Sequence, residues 1–460
     1  MYQLLSTKQT YALEEKILNT NQMSVESLMN EAGQAAWLQM VKIYGAIPNN
    51  MCVFVGAGNN GGDALLLALH AMQVGVLVDI VQVCPVKSNS LANLYATHAY
   101  LNNAITSDFK DAYDVIVDGV VGLGYKQKND DLIDNWIKLF NEMHGYKVAI
   151  DIPTGIDANS GFAKQFCSVD LTITFFAPKI GHFFSVGKSA QKKLSVALKH
   201  YYQPLGCHVV KHVSLPPKPA HFHKYQCGNV CVIGGSDGME GAGFLSAIAA
   251  LKVGAGLSKY HYLSSHHISY DPSIITCKYK KENTPSYIQK QTVCVIGPGL
   301  NENDAQLVLD QLIHRDLTLI LDAGAFIALP TSYDFNNRCI LTPHVGEAAR
   351  LLGVSNDYIL LNPIDSALQL NKLFQTPIVL KSSSTVLIFN GEVSLVVDGC
   401  SLLATAGSGD VLTGIIAGYI ARYGFSKQTL EQAVYKHATL CTINKSKSIS
   451  LIASDLIKRL

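Results

Sequence analysis

At 460 residues the chain exceeds the about 250–300 residues at which a single core stops growing, so two domains are expected. Charged residues make up only 15% against 48% hydrophobic, which excludes a disordered chain and favours well-buried sheets. A net charge of +1 offers no general attraction for nucleic acid or anionic membrane, and neither is expected as a partner.

The first part of the chain alternates helical patterns with short apolar runs. Helices are expected near 8–19 and 25–44, the second started by Ser24 with Ser27 just inside. Buried strands are expected at 51–55, 78–83, 114–117, 148–150 and 171–175, most separated by helix-length segments. That rhythm predicts a parallel sheet covered on both faces. Between 203 and 223 the periodicity stops, with Pro204, Pro216, Pro217 and Pro219 among His208, His212, His221 and His223. This stretch reads as a linker, and its histidines, lacking an ordered spacing such as HExxH, read as solvated. From Asn229 the rhythm restarts. Strands are expected at 230–233, 293–296, 317–321, 339–341, 378–380, 386–389 and 393–397, with helices near 243–253, 403–423 and 430–445. The apolar segment 402–421 is interrupted by Ser408-Gly409-Asp410, which makes it a poor membrane span. Eleven scattered cysteines with no CxxC pair, and an N-terminus without a secretory pattern, read as reduced thiols of a cytoplasmic protein.

Three polar motifs in the first half each follow a predicted strand: Gly58-Asn59-Asn60-Gly61-Gly62-Asp63, Asp118-Gly119-Val120-Val121-Gly122-Leu123-Gly124, and Asp151-Ile152-Pro153-Thr154-Gly155-Ile156-Asp157. In an open parallel sheet the strand C-termini face one crevice, so the three converge. The glycine-rich turn before a helix suits an anionic ligand, although GxGxxG alone is weak evidence. Asp118, Asp151 and the side-chain oxygens of Asn60 and Thr154 could form an oxygen-rich nest for a hard cation. The plainer alternative is that Asp118 and Asp157 cap turns. Pro153 rigidifies the turn that presents Asp151, which suits acid/base work.

In combination these motifs, with Ser24–Gly33 (SVESLMNEAG), resemble the NAD(P)H-hydrate epimerases over roughly residues 1–202. The resemblance implies that Asn59, Asn60, Gly61, Gly62 and Asp63, with Gly122, Leu123, Gly124, Tyr125, Lys126, Gln127 and Lys128, hold the hydrated nicotinamide nucleotide. It implies potassium on Asn60, Asp118 and Thr154, and Asp151 as the acid/base that also touches the substrate. The chain departs from the pattern at Ala64, where the family usually has Gly, and at Leu123, where it usually has Thr.

In the second half, Ala404-Thr405-Ala406-Gly407-Ser408-Gly409-Asp410 opens a long apolar helix. Small residues leave N–H groups free for a transferring phosphoryl group, and Asp410 could deprotonate an attacking hydroxyl. The alternative is a small-residue helix packed closely on a sheet. Other strand ends carry Gly234-Gly235-Ser236-Asp237, Gly297-Pro298-Gly299-Leu300, Asp322-Ala323, His344-Val345-Gly346-Glu347 and Lys381-Ser382-Ser383-Ser384-Thr385. The plainer alternative for His344 is an imidazole satisfied in the core, and for Glu347 a helix cap. No GxxxxGK(S/T) is present, so this is not a P-loop.

These motifs resemble the ribokinase-like, ADP-dependent NAD(P)H-hydrate dehydratases over about residues 220–460. That resemblance implies hydrate contacts at Ala242, Asn301, His344 and Asp410, with Asp410 as base. It implies ADP contacts at Lys381, Ser382, Ser383, Ser384, Thr385 and Gly409. Ala406 and Ser408 replace Gly and Thr of the usual GGTGD, Asn301 the last Gly of GPGLG, and Tyr225 the Gly of HKG.

The expectation is an α/β protein of two domains. Residues 1–205 would form a Rossmann-like three-layer sandwich, 206–222 a linker, and 223–460 a ribokinase-like α/β/α domain. Together they would epimerise R and S hydrates of NADH or NADPH and dehydrate the S form with ADP, magnesium being a further expectation. Homo-oligomerisation is left open. The alternative is a ribokinase-like small-molecule kinase with a nucleotide-binding regulatory N-terminal domain.

Overall fold

Strands that are apolar on both faces must be covered on both faces, and the sequence supplies helices for each side. The computed structural model describes residues 3–84, 101, 103–125, 131–201, 207–217, 221, 223–266, 271–282, 288, 292–442 and 450–460. Two units divide the chain, Met1–Cys207 and His208–Leu460.

In the first unit, helices α1 (Thr7–Thr20) and α2 (Val25–Tyr44) precede β1 (Asn50–Val55), α3 (Asn59–Gln73), β2 (Leu77–Gln82) and β3 (Ala112–Gly119). Then come α4 (Asp131–Glu142), β4 (His144–Ile150), β5 (Val169–Phe175) and β6 (Gln191–Ala197). The sheet is parallel throughout, in the order β2-β1-β3-β4-β5-β6. Side chains alternate across it. Met51, Val53, Val55, Val115, Val117, Val148 and Ile150 join the core under α1, α2 and α3. Cys52, Phe54, Ile116 and Ala149 face the opposite core, where Trp136, Ile137 and Phe140 of α4 close over Phe54. Ser6 caps α1 in a reciprocal capping box with Gln9. Ser24 accepts the Ser27 N–H at 3.1 Å to start α2, as the sequence predicts.

The second unit contains β7 (Cys207–Val209), β8 (Asn229–Gly234), α5 (Glu240–Lys252), β9 (Leu257–Tyr262) and β10 (Ile275–Lys278). It continues through β11 (Thr292–Ile296), α6 (Glu302–Leu312), β12 (Thr318–Leu321), β13 (Cys339–Leu341) and α7 (Val345–Leu352). Next are α8 (Asn356–Leu361), α9 (Pro363–Phe374), β14 (Ile378–Leu380), β15 (Thr385–Phe389) and β16 (Glu392–Val396). Helices α10 (Ser408–Tyr423), α11 (Lys427–Thr439) and α12 (Ala453–Lys458) complete it. Sheet order is β7-β16-β15-β14-β13-β12-β11-β8-β9-β10. Pairing is parallel except where β15 runs against β14 and β16. One face packs on α5, α10, α11 and α12, and α6 and α9 contact the strands from the other.

Several expectations shift. Residues 207–209, inside the expected linker, form a strand in which His208 and Val209 pair with Ser394 and Leu395. Proline content hid it, because β7 is short and ends before Pro216. The helix expected at 403–423 begins at Ser408, since Gly407 takes a left-handed φ of 84° that a continuing helix cannot accommodate. The helix expected at 430–445 starts at Lys427 behind a Ser426 cap and ends at Thr439. Strands β6, β9 and β10 carry charged or polar residues along one edge and were not legible as apolar runs.

Ala64, at the position where the sequence departs from the family pattern, is fully buried against Gly119. A Cβ on Gly119 would stand 2.3 Å from the Ala64 Cβ. Gly119→Ala is therefore expected to lower stability by about 1–3 kcal/mol in urea unfolding. Adding Ala64→Gly should recover part of the loss, and a neutral Gly119→Ala would show that the contact is slack.

Candidate functional site

The C-terminal strand ends of the first unit frame a cleft of about 370 Å³. Gly58, Asn59, Asn60 and Asp63 line it from the head of α3, residues 120–124 from the turn after β3, and Asp151 from the end of β4. Lys179 enters beyond β5, and Tyr11 and Glu14 come from α1. Gly61 does not line the cleft, but it permits the turn, because a Cβ there would meet the Gly56 carbonyl at 2.3 Å. Gly62 is buried beside it. Tyr125 packs at the margin of the core under α4. Lys126, Gln127 and Lys128 lie outside the described residues.

Asp151 is the most constrained residue here. Its backbone takes φ 63°, in the left-handed region that side chains rarely adopt, at a cost of about 1–3 kcal/mol. Its N–H donates to the Ile173 carbonyl at 2.8 Å. Its Oδ1 accepts from the Lys179 ammonium at 2.6 Å and the Thr174 hydroxyl at 2.8 Å. The ammonium also donates to Thr174 Oγ1 and the Phe175 carbonyl. His182 Nδ1 accepts the Lys179 N–H at 3.0 Å, so its proton sits on Nε2 and is donated to the Asp151 carbonyl at 2.8 Å. Burial pushes the Asp151 carboxyl upward, but the Lys179 charge and hydrogen bond, with Thr174, hold it below its ordinary value. Burial, reinforced by Lys179, drives His182 down to about 4, which keeps it neutral.

The neighbouring carboxyls move the other way. Burial, and then the Asp151 charge, raises Glu14 to about 7. The same two causes, joined by Glu14, raise Asp63 well above the carboxylate range.

Asp118 and Thr154 are fully buried and bound to each other. The carboxylate accepts the Thr154 hydroxyl at 2.6 Å and its N–H at 2.7 Å. Burial raises Asp118 to about 6, although these bonds pull it down. The buried amide oxygen and nitrogen of Asn60 have no partner among the described residues, and its Oδ1 lies 3.1 Å from where a Gly122 Cβ would stand. Asp157 accepts from the Asn159 N–H and from the Ser160 N–H and hydroxyl, a turn-capping arrangement.

The second unit has a cleft of about 490 Å³, lined by Ala242, Leu300, His344, Glu347, Arg350 and Asp410 among others. Asp322, at the end of β12, is saturated: Oδ1 accepts Lys381 Nζ at 2.7 Å and Oδ2 the Thr413 hydroxyl at 2.7 Å. Gly409 lies over this pair, since a Cβ there would stand 3.3 Å from Lys381 Nζ. Asp410, in the first turn of α10, has no such side-chain partner among the described residues. Burial raises it to about 7, with Asp322 and Glu347 adding and Lys381 opposing. The N–H groups of Gly409 and Asp410 have no backbone partner among the described residues, the usual state of a helix start and a ready anion site. The Ser408 hydroxyl lies 3.2 Å from His437 Nε2 in the core.

His344 is exposed and not core-satisfied. Its Nδ1 accepts the N–H groups of Gly346 and Glu347 as the α7 cap, while Glu347 returns the bond to the His344 N–H. Asn301 caps α6 through the Asp304 N–H at 2.9 Å and is not among the residues lining the cleft. Ser382, Ser383 and Ser384 form the turn from β14 to Thr385 at the start of β15, where the Ser382 hydroxyl donates to the Ser384 carbonyl at 2.5 Å. Of the Lys381–Thr385 stretch, Lys381 is the residue fixed against the helix head.

Sequence reasoning missed Lys179, Thr174, His182 and Glu14 in the first unit. For Lys179 the signal is a lone lysine directly after strand β5 and Pro178, at the edge where the three motifs already converge. Asp322 was visible only as a strand-end motif.

Each of the two α/β units thus has a cleft and, at a strand end beside it, a carboxylate paired with a lysine. The family described as YjeF-related protein N-terminus matches residues 25–181, and the family described as NAD(P)H-hydrate dehydratase matches residues 230–460. The bifunctional NAD(P)H-hydrate repair enzyme Nnr of Moorella thermoacetica is 31% identical over 80% of this chain and 78% of its own length. That of Coxiella burnetii is 29% identical over 97% of this chain and 96% of its own. Among solved structures, the ADP/ATP-dependent NAD(P)H-hydrate dehydratase of Bacillus subtilis is 30% identical, covering 53% of this chain and 91% of that one, with a TM-score of 0.48. The chain belongs to the bifunctional NAD(P)H-hydrate repair enzymes.

Removing Lys179 strands a buried charge. Lys179→Met is expected to cost about 3–5 kcal/mol in urea unfolding, with Asp151→Asn in the same chain restoring most of it. An additive double variant would show that the pair is not coupled.

Proposed function

We infer that the chain repairs hydrated nicotinamide nucleotides with two activities. The first cleft interconverts the R and S hydrates of NADH or NADPH, and the second dehydrates the S form at the expense of ADP. The observation that carries this reading is that a carboxylate–lysine pair stands beside each cleft, fully buried at Asp151–Lys179 and part-buried at Asp322–Lys381 next to Asp410.

In the first cleft the α3 head and the 122–124 turn hold the nucleotide, and Asp151 moves protons at the reacting carbon. Its unbonded Oδ2 is the working oxygen, since Oδ1 is committed to Lys179 and Thr174. The unpartnered Asn60 amide beside buried Asp118 and Thr154 oxygens fits a potassium ion. Bound there, it would supply positive charge close to the nucleotide.

In the second cleft, Ala242, His344 and Asp410 contact the hydrate, with Asn301 shaping the neighbouring turn. Lys381, Ser382, Ser383, Ser384, Thr385 and Gly409 take the ADP side, and magnesium enters with the nucleotide phosphates. Asp410 accepts the proton of the C6 hydroxyl as that oxygen attacks the β-phosphorus of ADP, and AMP leaves. The α10 N–H groups stabilise the charge on the transferring group. Phosphate then departs from C6 as the ring nitrogen lone pair forms the N1–C6 double bond. Loss of a C5 proton restores NADH or NADPH.

Racemic NADPH hydrate with ADP tests the reading. Wild-type chain should consume both forms, while Asp151→Ala should stop near half, leaving the R form to its spontaneous rate. Accumulation of a stable phosphorylated product would instead favour a small-molecule kinase. The ADP-dependent rate should rise with pH through about 7 as Asp410 loses its proton. Asp410→Asn should lose about 10²–10⁴-fold in kcat, and a pH-independent rate would exclude Asp410 as the base.

A further inference from the structure

Inverting the C6 centre needs a proton donor as well as an acceptor, and Asp151, ionised against Lys179, can only accept at the outset. The first cleft contains two more carboxyls, Asp63 from α3 and Glu14 from α1. Helix α1 lies before the span 25–181 that the family match covers. Its core stripe is Thr10, Leu13 and Ile17, which leaves Tyr11 and Glu14, one turn apart, on the cleft side. No hydrogen bond or ion pair engages the Glu14 carboxyl among the described residues, so its position is not explained by a structural contact.

We propose that Glu14 is the proton donor of the first cleft, working with Asp151 as acceptor; the assignment rests on the epimerase reading of that cleft. The groups facing Glu14 are Tyr11 on its own helix, Asp63 on α3, Asp151 after β4 and Lys179 after β5. Burial and the Asp151 charge raise Glu14 to about 7, with Lys179 opposing, so it can release and regain a proton near neutral pH. Asp63 is raised well above its ordinary value by burial and then by Asp151 and Glu14, which suits a hydrogen-bond donor better than a cycling acid. Two carboxyls pushed apart by their surroundings divide acid from base.

The step balances without a co-reactant. Glu14 gives its proton to the C6 hydroxyl, the C6–O bond breaks with its electron pair leaving in water, and the N1 lone pair forms the N1–C6 double bond. Water adds to the opposite face of C6, the π pair returns to N1, and Asp151 takes the proton the added water releases. A proton then returns from Asp151 to Glu14 through solvent.

The test uses the full chain and R-enriched NADPH hydrate, with conversion to the S form followed by chromatography against the uncatalysed rate. Glu14→Gln is expected to lower kcat about 100-fold, to leave KM within about threefold, and to abolish the fall in rate that wild type shows above pH 7. Glu14→Asp should keep that fall at a reduced kcat. If Glu14→Gln does not fold, Glu14→Asp decides, an unchanged kcat overturning the proposal. A Glu14→Gln enzyme with kcat near wild type, while Asp151→Asn is inactive, overturns the proposal and leaves the epimerase reading standing. Wild-type conversion no faster than the uncatalysed rate overturns both.

Discussion

The first cleft depends on one contact, the buried ion pair between Asp151 and Lys179. Without the ammonium, a buried carboxylate at the end of a central strand would have no opposite charge beside it. The ammonium holds Oδ1, while the backbone N–H is bound to the Ile173 carbonyl and the backbone carbonyl to His182 Nε2. The second oxygen of the carboxylate is left for chemistry. The charge then acts at a distance: Asp151 contributes to raising both Glu14 and Asp63. Burial, with the Asp151 charge adding to it, thus raises Glu14 and Asp63 while Asp151 itself is held low by Lys179.

The second unit meets the same problem differently. Asp322 also follows a strand and also binds a lysine, here part-buried, but both its oxygens are used. Its part is to hold Lys381 under Gly409 and to raise Asp410, which stays free at the helix head. The reactive carboxyl of the first cleft is therefore paired and low. That of the second is unpaired and close to neutrality. This contrast suits a proton acceptor that must be ionised at rest in one case, and a base poised near the working pH in the other.

Much of this was legible in the chain. Apolar runs ending in Gly58–Asp63, Asp118 and Asp151 placed three motifs at one sheet edge, and the small-residue stretch opening an apolar helix placed Asp410 at a helix head. Elements with a strong period were readable for the same reason, α2 being found residue for residue. Strands β6, β9 and β10 were not, because their polar edges dilute the apolar signal. Lys179 and Glu14 escaped because their meaning is positional. A lysine after a strand and a glutamate on an amphipathic helix look solvated until the fold brings both to Asp151. His344 and Asn301 show the converse, since each is taken up in capping a helix, a local role that a motif match does not reveal.

The account stands on two clefts that each receive the same damaged nucleotide. A crystal soaked with NADPH hydrate and ADP tests this most directly. The account predicts the nicotinamide ring beside Asp151 Oδ2 in the first cleft, and a second hydrate beside Asp410 with ADP phosphates at the head of α10. Hydrate density in only one cleft, or ADP bound away from Gly409 and Lys381, would contradict it.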